Sequence, residues 1–336
     1  GTSFALGRAN PLITTHPADL IVCEMTYPTF TVVATGAEPL TYLWYKDGSP
    51  ILSGPHYTGN RSATLVINEA VLSDAGNYYC VVRDRYRNTT ISTSATLTVN
   101  KIPVATLTPA AQDHECSEVP FDDIVLGLSY YNPGTIFTWS RTTPAGINTT
   151  IPVTGTENNI GDVLAGSFQN TTDAPITITF EIIPIGPAPT YCTGLPIYAT
   201  ITVNPRPRVI PVMKQICYGE STSITLVSPS TMTQDNVIRF DYNITATAPV
   251  GVVGGNRTPA SNVAYGSVLS YPYTNSSDTV QSVFYNVTPT VPALGCPSGI
   301  EEAFETKVHA KPLQNLVITE PLNCEGGSNA DLLAVT

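Results

Sequence analysis

A cysteine recurs about every hundred residues, the interval of one β-sandwich, and this spacing divides the chain. The four openers stand in related contexts: Val22-Cys23-Glu24, Glu115-Cys116-Ser117-Glu118, Ile216-Cys217-Tyr218-Gly219-Glu220 and Asn323-Cys324-Glu325-Gly326-Gly327. One further cysteine, Cys80, Cys192 or Cys296, follows each of the first three. The spacing predicts pairing inside each module, Cys23–Cys80, Cys116–Cys192 and Cys217–Cys296. Cys324 is then unpaired here, its partner lying past Thr336, and the chain reads as a stretch of a longer string.

Charged residues make up only 12% of the chain, and it holds 24 Gly and 29 Pro. That balance suits short strands joined by turns. No long segment carries a 3.6-residue apolar stripe; the nearest, Ile160–Phe168, is short and holds two glycines. The expectation is an all-β chain of tandem sandwiches in an elongated array. Paired cysteines in such a chain point to an oxidising compartment, and no two are close enough for a C-x2-C zinc site. A net charge of −11 and a pI near 4.7 repel phosphate backbones, which excludes nucleic acid as a partner. No apolar run is long enough to span a membrane, and Gly1–Pro11 has no signal-peptide core.

The strongest local motif is Asp74-Ala-Gly76-Asn-Tyr78-Tyr-Cys80. It resembles the E–F corner and F strand of immunoglobulin domains. There the tyrosine two residues before the cysteine ties its strand to the preceding turn. Trp44 stands where the resemblance places the core tryptophan, and Asp47-Gly48 marks a tight turn after it. Counting back from Trp44 to the usual position of the first cysteine reaches Val32. Cys23 lies ahead of that strand, so the usual inter-sheet bridge is absent. Cys23 and Cys80 then either join the first strand to strand F or remain two buried thiols.

Two further modules duplicate each other. Phe137-Thr-Trp139 matches Phe240-Asp-Tyr242, and Phe168-Gln-Asn170-Thr-Thr-Asp173 matches Tyr273-Thr-Asn275-Ser-Ser-Asp278. Ile178-Thr-Phe180-Glu-Ile182 matches Val283-Phe-Tyr285-Asn-Val287. The boundaries are short and proline-bearing: Asn100-Lys-Ile-Pro103, Asn204-Pro-Arg-Pro207 and His309-Ala-Lys-Pro312. Such linkers are stiff, so three modules make a semi-rigid rod on the order of 100 Å long. The division is 1–12 as a leading segment, 13–102 as the immunoglobulin-like domain, 103–207 and 208–312 as the duplicated sandwiches, and 313–336 as the start of a further repeat.

The first module resembles immunoglobulin-like modules of secreted Bacteroidetes surface proteins, on Ile13-Thr-Thr-His-Pro17 and Tyr42-Leu-Trp44-Tyr-Lys-Asp-Gly48. The second and third look like the PKD-like modules that follow them there. Asn323-Cys-Glu-Gly-Gly-Ser-Asn-Ala-Asp331 is similar to the opening of repeats in SprB-type gliding-motility adhesins. The resemblance implies a stalk segment of a large type IX-secreted adhesin at the cell surface, without catalytic residues. Its partners would be other modules of the same chain, surface polysaccharide, or outer-membrane motility and secretion proteins. Two rival readings are binding or spacer modules of a secreted glycan-degrading enzyme and an N-glycosylated eukaryotic ectodomain.

Candidate sites are few. His16, His56, His114 and His309 fall in no H-E-x-x-H motif, and no G-x-S-x-G elbow occurs. No cofactor is expected. For calcium the candidates are Asp122, Asp123, Asp162 and Asp278, which without a D-x-D-x-D-G loop read as solvated turn carboxylates. Arg83-Asp84-Arg85-Tyr86-Arg87 breaks the acidic background. Arg83, Arg85, Tyr86 and Arg87 form either a solubilising hairpin tip or a contact for an anionic polysaccharide or acidic neighbour. Eight Asn-x-Ser/Thr sequons occur, at Asn60, Asn88, Asn148, Asn170, Asn243, Asn256, Asn275 and Asn286. Asp278-Thr279-Val280 resembles a bacterial O-glycosylation pattern, with Thr279 as acceptor.

Overall fold

The computed structural model describes residues 9–130, 133–244, 249–255 and 258–312. Strands dominate it, and among the described residues the helical content is the single turn Leu72–Asp74. The sheets fall into three groups around three separate apolar clusters, as expected for an all-β chain.

In the first module the edge strand changes sheets. Leu12–Thr15 pairs antiparallel with Val33–Thr35, and beyond His16-Pro17 the strand Leu20–Cys23 pairs parallel with Ala95–Asn100. The larger sheet runs Leu20–Cys23, Ala95–Asn100, Gly76–Arg83, Thr41–Lys46, Ser49–Pro50. The facing sheet holds Thr29–Thr31, Thr64–Ile67 and Tyr57–Thr58. Alternation along Gly76–Arg83 buries Tyr78, Cys80 and Val82. Phe30 stacks on Tyr78 at 4.8 Å between ring centroids, and Trp44 donates its indole N–H to Ser62 O at 2.9 Å. Each such buried ring contributes about 1.5–3 kcal/mol.

The second and third modules share one topology. The larger sheet of the second runs Ala111–Cys116, Ile197–Asn204, Ile176–Ile185, Ile136–Arg141, Thr154–Glu157. That of the third runs Met213–Ile216, Glu302–Val308, Gln281–Thr290, Arg239–Ile244, Ala260–Ala264. The duplication reaches the core. Phe168 and Phe180 of the second module become Tyr273 and Tyr285 in the third, whose hydroxyls bond each other at 2.6 Å. Two buried polar atoms are thereby satisfied together.

In both duplicated modules one buried asparagine staples a turn to the last strand. Asn170 Nδ2 donates to Ala174 O and Val203 O, while its Oδ1 accepts from Thr172 N and Oγ1. Asn275 does the same with Thr279 O, Val308 O and Ser277 N and Oγ.

Candidate functional site

The pairing of the opener strand fixes where each cysteine lies. Cys23 stands opposite Asn100 and Cys116 opposite Asn204, at the ends of parallel pairs whose second strand closes its module. Each opener therefore sits at the pole nearest the next module. Cys192 lies in the loop between Ile176–Ile185 and Ile197–Asn204, and that loop is at the opposite pole. An eight-residue final strand spans roughly 26 Å, whereas bonded cysteines need Cα atoms within about 7 Å. Pairing within one module is geometrically closed.

The bridges instead cross the junctions. Cys23 bonds Cys192, with Cα atoms 5.6 Å apart, and Cys116 bonds Cys296, with Cα atoms 5.3 Å apart. These links correct the expected Cys23–Cys80, Cys116–Cys192 and Cys217–Cys296. Cys217 is disulfide-bonded as well, but Cys116 occupies the sulfur of Cys296. Cys80 is a free, fully buried thiol that desolvation pushes up to about 12. It shares its cluster with Val32, the residue standing where most immunoglobulin domains supply its partner. Cys324 lies outside the described residues.

Non-covalent contacts repeat at both junctions. Asn100 Nδ2 donates to Thr190 Oγ1, and Asn204 Nδ2 to Thr233 Oγ1. At the first junction Lys101 lies 3.9 Å above the Tyr130 ring, whose hydroxyl donates to Ile102 O. At the second, Arg206 pairs with Glu118 at 3.5 Å, and Arg208 holds both carboxylate oxygens of Asp173. The Arg208 bonds keep the Asp173 carboxyl below the usual range. Gly194 and Gly299 mark the close approach. A Cβ on either would fall 2.1 Å from Pro103 O and 1.9 Å from Pro207 O respectively, so any side chain there pries the junction apart.

The arginine loop occupies the same topological place in the first module as the cysteine loops in the other two. It follows Gly76–Arg83 at the pole away from the second module. Buried Asp84 organises it by accepting from Tyr86 N, Asn88 N and Asn88 Nδ2. Arg83, Arg85 and Arg87 are exposed, and the Arg85 guanidinium lies 4.7 Å over the Tyr86 ring. Ion pairs among the described residues are His56–Asp74, Arg206–Glu118 and Arg208–Asp173, none using these arginines.

The E–F corner forms as the motif implies: the Tyr78 hydroxyl donates to Asp74 O at 2.7 Å. The sequence did not reveal the partners of the Asp74 carboxylate. It accepts from His56 Nε2, the Tyr57 hydroxyl and Val71 N. Burial alone would push this carboxyl up, but the bonds from Tyr57, Val71 and His56 outweigh it and hold it below its ordinary value.

The remaining candidates are dispersed. His16 Nδ1 accepts from Thr93 N, and His309 bonds Gln215 Oε1. Asp162 caps its own turn through Asn158 N and Asn159 N. Among the described residues no three His, Cys, Asp or Glu side chains converge as a metal cluster. Thr279 is exposed in a turn, its hydroxyl accepting from Gln281 Nε2. Of the sequon asparagines, Asn60, Asn170 and Asn275 are buried and spend their amides inside the fold, and Asn256 lies outside the described residues. Among the described residues no helix is long and apolar enough to cross a membrane.

The family model described as an immunoglobulin domain matches residues 10–84, and that of a PKD-like domain matches residues 113–207. Hemicentin-1 of Mus musculus is 45% identical over 47 residues, 14% of this chain and 1% of that protein. The decoration protein of Escherichia phage T5 is 40% identical over 84 residues, 25% of this chain and 48% of that protein. The chain thus spans at most about half the length of these relatives. Among solved structures, the I-band fragment I67–I69 of titin covers 90% of this chain and 99% of its own, at 14% identity and a TM-score of 0.43. Titin domain M7 covers 28% of this chain and 96% of its own, at 31% identity and a TM-score of 0.25. The chain contains an immunoglobulin-like domain followed by PKD-like architecture.

Proposed function

We propose that this chain is a non-enzymatic structural and adhesive stalk segment of a large bacterial surface adhesin, of the SprB-type, type IX-secreted kind that serves gliding or attachment. The observation that carries the reading is the covalent bridge at each of the two described junctions. Bridges of this kind persist outside the cytosol, and they suit a chain that holds its modules in line against a pull. Three sequons spent on buried asparagines weigh against the glycosylated ectodomain. The arginine loop is the surface offered to an anionic polysaccharide or acidic neighbour, through charge-assisted hydrogen bonds, and an O-linked glycan on Thr279 belongs to the same reading. No cofactor enters it.

The test is made on the source cells. Antibody raised against this chain should label intact cells, external protease should remove the label, and deleting the gene should reduce surface attachment. A label reached only after permeabilisation refutes the surface assignment. For the loop, replacing Arg83, Arg85 and Arg87 with Ser should lower binding to an acidic polysaccharide at low salt. Unchanged binding makes the loop a solubilising tip.

A further inference from the structure

We propose that the crossed bridges have a mechanical function: they turn the three modules into one tension-sharing unit that cannot be drawn out module by module. Along the backbone the cysteines of these two bridges come in the order Cys23, Cys116, Cys192, Cys296, and the first joins the third while the second joins the fourth. Each bridge is a node, one at each junction. Three stretches of backbone run between the two nodes: Cys23 to Cys116, Cys116 to Cys192, and Cys192 to Cys296. A pull that separates the two nodes therefore divides among three stretches in parallel.

The fold tightens this sharing. Cys23 is held beside Asn100 by strand pairing, so while the first module stays folded the first stretch is effectively Asn100 to Cys116. The Cys296 loop is held against the second linker, where Arg206 Nε donates to Ser298 O at 2.8 Å and Gly299 abuts Pro207. While the third module stays folded, the third stretch is effectively Cys192 to Pro207. Each strap extends to roughly 50 Å at most. If the second module alone unfolds, the nodes separate to that distance and stop. An unbridged module of about a hundred residues would release roughly 300 Å or more. To gain such length all three modules must give way together, and Cys116 to Cys192 then halts the nodes at roughly 260 Å. Within the first module the pull runs along Leu12–Cys23 and divides at Cys23 between the bridge to Cys192 and the backbone toward Cys116.

The proposal deepens the stalk reading but rests on connectivity alone, so mechanical failure and failure of surface display are separate results. The experiment is single-molecule pulling of the full chain between terminal handles, on oxidised protein, on the same molecules after dithiothreitol, and on the Cys23→Ser/Cys116→Ser double variant. The oxidised chain should show no module-sized step before one collective event. The variant should give separate steps for the first and second modules, and reduced molecules should lengthen beyond the oxidised limit. Separate module-sized steps in the oxidised chain, or one contour length before and after reduction, would overturn the proposal. If the variant does not fold, the before-and-after comparison on the parent decides alone.

Discussion

Replacing Asn275 with alanine tests the duplicated staple. The side chain is fully buried and makes four hydrogen bonds: two donated, to Thr279 O and Val308 O at 2.8 Å each, and two accepted, from Ser277 N at 2.9 Å and Ser277 Oγ at 2.6 Å. Thr279 is exposed, so water replaces the first of these without much cost. Val308 is fully buried, and its carbonyl is left without its amide partner, a loss of about 1–3 kcal/mol. The half-buried Ser277 groups add about 1 kcal/mol more. The total is roughly 2–4 kcal/mol, which for a hundred-residue module lowers its transition by roughly 10–20 °C. Calorimetry should show one transition shifting while the others stay in place. Asn148→Ala, which loses only an exposed bond to Gln169, should stay within about 0.5 kcal/mol of the parent. If Asn275→Ala shifts its transition no more than Asn148→Ala does, the staple is a by-product of the turn and the reasoning is wrong.

Because Asp74 is held below the ordinary carboxyl value, it stabilises the folded state above that value, and the contribution is lost as pH falls through the lower folded value. Urea midpoints for the first module should fall below about pH 4, and Asp74→Asn should flatten that fall; equal acid slopes in the two proteins refute the assignment. Non-reducing peptide mapping should recover Cys23–Cys192 and Cys116–Cys296, with Cys80 alkylated only after denaturation; rapid labelling of Cys80 in the native protein contradicts its burial.

Local structure was legible wherever a residue acts through its near neighbours. The E–F corner, the Trp44 core and the alternation along Gly76–Arg83 follow from spacing, because a strand buries every second side chain and a corner needs its tyrosine two residues before the cysteine. The repeat of Phe168-Gln-Asn170 in Tyr273-Thr-Asn275 likewise foretold one topology used twice. The disulfide partners were not legible. Sequence spacing says which cysteines share a module, whereas bonding depends on which share a pole. That follows from the parallel pairing of Cys23 with Asn100 and Cys116 with Asn204. Parallel pairing of opener and closing strand has no sequence mark as sharp as the corner motif. The His56 and Tyr57 bonds to Asp74 were hidden for a similar reason, since the strand that delivers them lies on the facing sheet.

The placement of the cysteines also works as a coupling standard. The second module carries one half-coupling at each pole, Cys192 facing backward and Cys116 facing forward. Excise it whole, and Cys23 of the first module would meet Cys296 of the third with no thiol orphaned. Insert another of the same pattern, and both new joints close. Such an array can change length by whole units while every joint stays bonded, which pairing inside modules would not require and could not preserve at the joints. The first module is the exception. Its backward pole shows Arg85 and Tyr86 where the others show a cysteine, and Cys80 is locked in its core. It can be bolted on its forward side only, so at its other pole this loop offers charge and an aromatic ring in place of a covalent joint.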